Sequence, residues 1–491
     1  MMQSHCTTPR KRGRKSQIAA GLLSLAIGLG LTGASLPLFS QARPVLSAEQ
    51  LHTRMLERRA VEAAIWGMPL VNFDAMRQAY FRDAGARYND VMYWSRPSDW
   101  KNQTTTPNHS TLYVMTFVNL KDGPVVLDVP ATTTTGLYGA VLDAWTVPLL
   151  NVGSRGQDLG KGGRYLILPP GYEGDVPVGF IRVQSSTYNN YTLLRVITRT
   201  TGEQDLADGV NYLKTLKVYP LSKALAIPAN NYIDVADKVY DGIARYDASF
   251  YESLARMVSE EPVQNRDMSI MGQLSALGIG KGQDFQADPK RQELLANAVD
   301  EAHAYMMEGY SRSGVAIWGE QRKWRSLAGP KQALGTKLSF IEPGQGVYLD
   351  DRAYAWFAMY GPIVPPGPQV YMKSYETAKG ELLEGGNSYR LTIPANAPAK
   401  DFWALDVYDA RTAGFIREAQ VVGLDSYSRQ MEKNPDGSVD LYFAPKPPPG
   451  HENNWIATQA GQPFFTMFRI YGPEQAMVDR TWVLNDIERL E

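Results

Sequence analysis

Residues 107–130 read PNHSTLYVMTFVNLKDGPVVLDVP, and residues 136–156 read GLYGAVLDAWTVPLLNVGSRG. Three apolar runs of strand length, Leu112 to Leu120, Pro124 to Val129 and Leu137 to Leu142, are separated here by short polar and glycine-containing breaks. Runs rich in β-branched and aromatic residues, broken in this way, predict antiparallel strands joined by tight turns. The pattern continues at Tyr165 to Leu168, Phe180 to Gln184 and Leu193 to Thr198, which predicts a sandwich or barrel. The same stretch sets directed polar groups, Asn108, His109, Ser110, Asp143 and Arg155, beside the aromatic surface of Tyr113 and Trp145.

Toward the N-terminus, Ser47 with Gln50 resembles a capping box. Leu51, Met55, Leu56, Val61 and Ile65 recur at helical spacing up to Gly67 and Pro69, predicting an amphipathic helix that ends there. Beyond residue 203 the period returns to that of a helix. Helices are predicted over Leu206 to Val218, Tyr232 to Val258, Ser269 to Leu277 and Pro289 to Tyr310, the last with Asp288 as its cap and Pro289 at its first position. Strands return after residue 366 at Tyr389 to Ile393, Phe402 to Tyr408 and Phe464 to Tyr471. Asn434-Pro435-Asp436-Gly437 reads as a hairpin turn between Arg429 to Lys433 and Val439 to Phe443. The expected class is mainly β with helical additions (α+β). An N-terminal β domain with an opening helix would span 43–202, a helical connector 203–335 and a C-terminal β-sandwich domain 336–491.

Length and composition agree with this division. A chain of 491 residues exceeds one core of ordinary size. Its 27 Tyr, 10 Trp, 43 Gly and 31 Pro favour turn-rich sheets over bundles. The first 42 residues have the form of a secretory signal peptide: a basic start at Arg10 to Lys15, an apolar run from Ile18 to Phe39, and small residues before a cut after Ala42. A periplasmic or secreted protein with no stable membrane span after cleavage is expected. Its removal changes 50 basic against 51 acidic residues to 45 against 51, a balance of −6, which argues against a nucleic-acid partner. Cys6, the lone cysteine, falls in the leader, so the mature chain has no disulfide or thiolate chemistry.

No cofactor and no metal are expected. His52, His109, His303 and His451 show no metal-pair spacing. Neither a phosphate-binding glycine loop nor a Gly-x-Ser-x-Gly elbow is present. Three groupings could carry chemistry. Asn108, His109, Ser110 and Tyr113 come first, where strand alternation would send His109 and Tyr113 to one face and Ser110 to the other, making His109 a general base. Asp143, Trp145 and Arg155 could pin a polar or aromatic ligand between charge and indole. Trp403, Tyr408 and Asp409, with Asn454 and Trp455, could line a mouth between sheets.

Pro107-Asn108 through Thr111-Leu112-Tyr113, Gly123 to Leu127, Leu142-Asp143 and Gly153-Ser154-Arg155 resemble the domain of unknown function numbered 1254. Asn387-Ser388-Tyr389, Phe402-Trp403, Val407-Tyr408-Asp409, Asp436-Gly437-Ser438, Asn454-Trp455, Arg469 to Pro473 and Trp482 resemble the one numbered 1214. The resemblance covers nearly all of the mature chain. It implies a bacterial exported or envelope-associated protein with two β-sandwich, jelly-roll-like domains, and it brings no established catalytic residues. Ser110 departs from the Asp usual at its position, and Ala457 from a Pro.

Three functions are therefore weighed. The first is binding of a small polar or aromatic ligand in a cleft. A hydrolase or lyase using His109 with Tyr113 or a carboxylate is the second, and a structural envelope protein forming a homo-oligomer is the third.

Overall fold

The computed structural model describes residues 45–132, 135–327, 338–342, 344, 346–361 and 369–490; the expected leader lies outside them. Among the described residues helix and strand are present in near-equal shares, 27% and 28%, so the protein is mixed α and β rather than mainly β.

In chain order the first strands are β1 (Val91–Tyr93), β2 (Asn102–Gln103), β3 (Leu112–Asn119), β4 (Val125–Val129), β5 (Gly136–Asp143) and β6 (Pro148–Gly153). They continue as β7 (Gly163–Leu168), β8 (Phe180–Gln184), β9 (Asn189–Ile197), β10 (Lys217–Pro220), β11 (Tyr232–Asp234) and β12 (Tyr240–Asp241). A six-stranded sheet runs β11-β1-β3-β9-β5-β6, and a four-stranded sheet runs β10-β4-β7-β8. Alternation along each strand sorts the residues by face. Leu112, Val114, Val141, Leu194 and Val196 join a core with Val125, Leu127, Ile167, Val183 and Val218 of the smaller sheet. The opposite face of the larger sheet presents Tyr113, Met115, Phe117, Ala140 and Leu193 to the main core.

The later strands are β13 (Arg325–Ser326), β14 (Ile341–Glu342), β15 (Gly346–Val347), β16 (Gln369–Ser374), β17 (Tyr389–Ile393) and β18 (Ala399–Asp409). After these come β19 (Gly423–Asp425), β20 (Val439–Ala444), β21 (Trp455–Ala457), β22 (Phe464–Pro473) and β23 (Glu488–Arg489). They form a five-stranded sheet, β13-β16-β22-β18-β19, and a four-stranded sheet, β21-β20-β17-β23. β22 lies between β16 and β18, antiparallel to both.

Helix α1 (Ala48–Arg82) does not stop at Gly67 and Pro69 but runs through them. A proline inside a helix costs about 3 kcal/mol. Here Leu70, Val71, Phe73, Met76 and Tyr80 are buried beyond it, and burying an apolar side chain contributes roughly 1.5–3 kcal/mol, so packing outweighs the lost hydrogen bond.

The segment expected to be a helical connector is only partly helical. α2 (Glu203–Leu213), α3 (Ser249–Glu260), α4 (Met268–Ser275) and α5 (Pro289–Arg312) form, and Asp288 caps α5 by accepting from the Arg291 amide at 2.8 Å. Lys217 and Val218 at the end of the span Leu206 to Val218, and Tyr232–Asp234 and Tyr240–Asp241 within Tyr232 to Val258, are strands. β10, β11 and β12 there pair with β4, β1 and β2, because edge pairing satisfies backbone groups that local propensity alone does not assign. The Asn434–Gly437 turn forms, with the Asn434 amide donating to the Ser438 carbonyl at 2.8 Å. Residues 429–433 are nevertheless not a strand, and Val439–Ala444 pairs with Tyr389–Ile393 instead.

Close strand packing rests on one glycine of the opening stretch. A Cβ on Gly139 would lie 2.1 Å from the Leu193 carbonyl oxygen and 2.7 Å from the Leu194 Cα. Both are backbone atoms that cannot move aside without parting β5 from β9. Gly139→Ala is expected to destabilise the fold by about 1–3 kcal/mol or more, read as a lowered urea midpoint; a wild-type midpoint would show that β5 and β9 separate freely.

Candidate functional site

The loop before β3 brings several expected residues together, though not in the expected way. β3 begins at Leu112, so Asn108 to Thr111 form a turn and strand alternation does not apply to them. Asn108 Oδ1 accepts the Ser110 amide at 2.6 Å, and both His109 and Ser110 turn toward the five-stranded sheet.

There His109 meets two carboxylates from opposite sides of its ring. Nδ1 bonds Asp406 of β18, while Nε2 lies 3.4 Å from Asp425 of β19. Ser110 Oγ donates to Asp425 at 2.6 Å and lies 3.3 Å from His109 Nε2. The second Asp406 oxygen accepts from Arg469 of β22. Arg469 Nη2 also donates to the Tyr408 hydroxyl at 2.7 Å, and that hydroxyl donates to the Pro107 carbonyl at 2.5 Å. Gly423 permits the contact: a Cβ there would sit 2.5 Å from Asp406 Oδ1 and 2.7 Å from His109 Nδ1. Because the carboxylates approach opposite ring nitrogens, the three groups do not converge on a point where a cation could bind.

This geometry changes the role of His109. Burial disfavours the charged ring, but Asp406 and Asp425 outweigh it and raise the pKa to about 10. Burial pushes the Asp425 pKa up, and the His109 and Ser110 hydrogen bonds overcome this and hold it below the ordinary value. Near neutrality the ring is therefore an imidazolium with no lone pair to accept a proton, a poor general base. Tyr113 is not its partner, since the Tyr113 hydroxyl accepts the Asn108 amide at 3.2 Å.

Beside this network lies a junction lined by tyrosines. Tyr113, Arg195 and Tyr138 occupy one row across β3, β9 and β5, in direct register. From the other sheet, Tyr371 pairs in register with Arg469, and Phe402 with Tyr471. The Asn108 side-chain amide donates to the Tyr471 hydroxyl, which lies 3.0 Å from that of Tyr371. Tyr138 packs with Phe402, Ala404 and Tyr471 across the junction, and Tyr371 and Tyr427 at its rim are half-buried.

Arg195 is the feature that packing does not explain. It is 7% exposed, lies over the rings of Tyr113 and Tyr138 at 5.2 and 5.8 Å, and reaches the Gly361 carbonyl only at 3.4 Å. Nε and Nη1 have no hydrogen-bond partner among the described residues, and neither does the buried Tyr138 hydroxyl. A desolvated cation–π contact is worth about 2 kcal/mol, whereas burying an ion costs several kcal/mol unless it is paired. Ring contacts alone leave this guanidinium under-compensated.

The second expected grouping does not assemble. Asp143 caps its own hairpin turn, accepting the Trp145 and Val147 amides at 2.9 and 3.0 Å, and burial raises its pKa to about 6. Trp145 packs edge-on against Trp66 at 5.2 Å and lies under Arg266 and Arg352 at 5.3 and 4.9 Å. Arg155 is exposed on the turn after β6. The six residues of β6 place it roughly 20 Å along the strand from the Asp143 end.

The third grouping also separates. Trp403 and Tyr408 point to opposite faces of β18 by parity, Trp403 stacking on Phe468 at 5.6 Å. Asp409 holds a turn by accepting the Arg411 amide at 2.7 Å. Asn454 donates to the Glu432 and Asp440 carbonyls at 2.9 and 2.8 Å, and the Trp455 indole donates to the Ala444 carbonyl at 2.8 Å. Only Tyr408 joins the junction.

Arg195, Tyr138, Tyr371, Tyr471, Asp406, Asp425, Arg469 and Gly423 were not anticipated as site residues. Arg195 and Arg469 do share a signal, each being the lone charge in a strand that is nearly all buried, and Asp406 is the one charge within the buried run Phe402 to Tyr408 of β18. A charge in such a place needs a partner across the sheet or in a ligand.

A protein of mixed helix and sheet, with a polar junction between two sheet faces, is what the fold defines. Two models of families of unknown function match the chain, DUF1254 over residues 88–220 and DUF1214 over 368–475, N-terminal and C-terminal as the resemblance implied. His109, Tyr113, Tyr138 and Arg195 fall in the first match, and Tyr371, Asp406, Asp425, Arg469 and Tyr471 in the second. Among solved structures, the chain is similar to the VPA0106 protein from Vibrio parahaemolyticus, at 16% identity and a TM-score of 0.52, covering 89% of this chain and 100% of that one. An uncharacterized protein from Burkholderia cenocepacia matches at 13% identity and a TM-score of 0.39, over 89% and 94% of the two chains. No curated protein matches the sequence.

The His109 proton links the junction to pH. With the folded pKa raised from 6.5 to about 10, its stabilising contribution is complete below about pH 6.5 and is lost as pH rises through 10. His109→Gln should lower stability at pH 7 by a few kcal/mol and flatten the pH dependence between about 6.5 and 10 in urea titrations. A slope identical to that of the wild type would show that the ring is not charged there.

Proposed function

We propose that this is an exported, periplasmic or secreted protein of two sandwich-like halves that binds a small polar or aromatic molecule. In this proposal the binding place is the tyrosine-lined junction between the six-stranded and five-stranded sheets, and not Asp143, Trp145 and Arg155. The observation that carries it is a set of three buried donors from adjacent strands, Arg195 Nε, Arg195 Nη1 and the Tyr138 hydroxyl, that the described residues leave unpartnered. Buried donors cost about 1–3 kcal/mol each when unmatched, so a molecule that accepts from them binds more tightly than its apolar contacts alone would allow. The half-buried Tyr371 and Tyr427 give the junction an edge by which such a molecule enters. The proton on His109 argues against the hydrolase alternative in which that ring is the base.

Screening hydroxylated and aromatic compounds by thermal shift, followed by titration calorimetry of the hits, tests this. Tyr138→Phe should weaken a hit by about 5- to 10-fold, while Arg155→Ala leaves its affinity unchanged. The opposite pattern would place binding at the exposed turn and overturn the proposal.

A further inference from the structure

If the junction is the binding site just proposed, the charges around it set the charge of its occupant. The four ionic groups of the adjoining network balance one another: His109 and Arg469 are cations, Asp406 and Asp425 anions, and each carboxylate is directly bonded within the group. Arg195 lies outside that balance. No ion pair joins it to a carboxylate among the described residues, and its neighbours Tyr113, Tyr138, Tyr360 and Tyr371 are phenols. Burial raises the pKa values of Tyr138, Tyr360 and Tyr471 well above 10, so these keep their protons and supply hydrogen-bond donors, not counter-charge. The junction therefore holds one positive charge more than it neutralises, and its unpartnered groups are those an oxyanion accepts from.

We infer that the occupant is a small monoanionic carboxylate whose acid group pairs with Arg195 Nε and Nη1 and the Tyr138 hydroxyl, its apolar body lying among the tyrosine rings. One carboxylate cancels the single surplus charge. A phosphate dianion would leave an excess of the opposite sign in the same buried place, which makes it the less favoured oxyanion. Arginine suits this role because its guanidinium stays charged even when desolvated and presents several fixed donors to a planar acid group.

Matched pairs of acid and amide distinguish charge recognition from simple binding: benzoate with benzamide, phenylacetate with phenylacetamide, and butyrate with butyramide, each titrated into the full mature protein. At least one acid should bind about 10- to 100-fold more tightly than its amide. Arg195→Met should abolish that preference, weakening the acid far more than its amide. If acid and amide bind equally and Tyr138→Phe weakens both, the junction is a binding site but the carboxylate inference fails. If inorganic phosphate binds more tightly than every acid, the inference also fails, in favour of a dianion. If no acid or amide binds, the inference fails together with the site.

A measurement without ligand guards against a merely structural arginine. An anchor that waits for its counter-charge is a strain on the empty protein, so Arg195→Met should raise the thermal midpoint of the ligand-free chain. A lowered midpoint, with no acid preference in the wild type, would assign Arg195 to packing and overturn the inference.

Discussion

The carboxylate of Asp406 is held between two cations that come from distant parts of the chain. One oxygen meets His109, in the turn before β3, and the other meets Arg469 on β22. The Asp406–Arg469 pair is removed from water: Asp406 is 0% and Arg469 2% exposed. Removing one member of a buried pair leaves the other uncompensated, at a cost of about 3–5 kcal/mol. The turn that carries His109 is further tied down through Pro107 to Tyr408 and through Thr106 to Arg469. The position of the row Tyr113, Arg195, Tyr138 opposite Tyr371 and Tyr471 depends on that clamp. Gly423 is part of it, because no side chain fits beside Asp406 and His109.

Two buried arginines in the same junction thus do different things. Arg469 has a carboxylate, a phenol and a carbonyl as partners, and its charge is used to join the sheets. Arg195 has two rings and one long contact to a carbonyl. The same side chain is structural in one setting and poised toward a ligand in the other, and the difference lies in which neighbours supply negative charge. Imidazole chemistry is constrained by the same balance: two carboxylates keep the His109 proton in place, so the histidine most conspicuous in the sequence is an ion-pair partner and not a base.

Much of the β framework was legible in the residues. Leu112 to Leu120 and Leu137 to Leu142 are strands in the structure nearly as their apolar runs predict, and Asp288-Pro289 opens a helix as the capping chemistry requires. The failures have specific causes. Pro69 reads as a stop because local chemistry disfavours it inside a helix, but the burial that overrides it comes from elements far along the chain. Lys217–Pro220, Tyr232–Asp234 and Tyr240–Asp241 look helical or neutral by local pattern and become strands only because edges of other sheets are available to them. Asp143, Trp145 and Arg155 look like a site because they are close in sequence, yet an intervening extended strand carries Arg155 away.

Read along the chain, local propensity and period were enough for the strands, their breaks and the capped helix at Pro289, and short motifs were enough for the two stretches that the family models match. The sequence by itself also pointed to the turn at Asn108, His109 and Ser110 as a place of directed polarity. Only the tertiary structure decided what that turn does. Asp406 and Asp425 stand 297 and 315 residues from the groups they bind, and Arg195 is set apart only once its neighbours are known to be phenols. Charge compensation in a buried place is a property of every group within reach, and nothing in the spacing of residues along the chain carries that information.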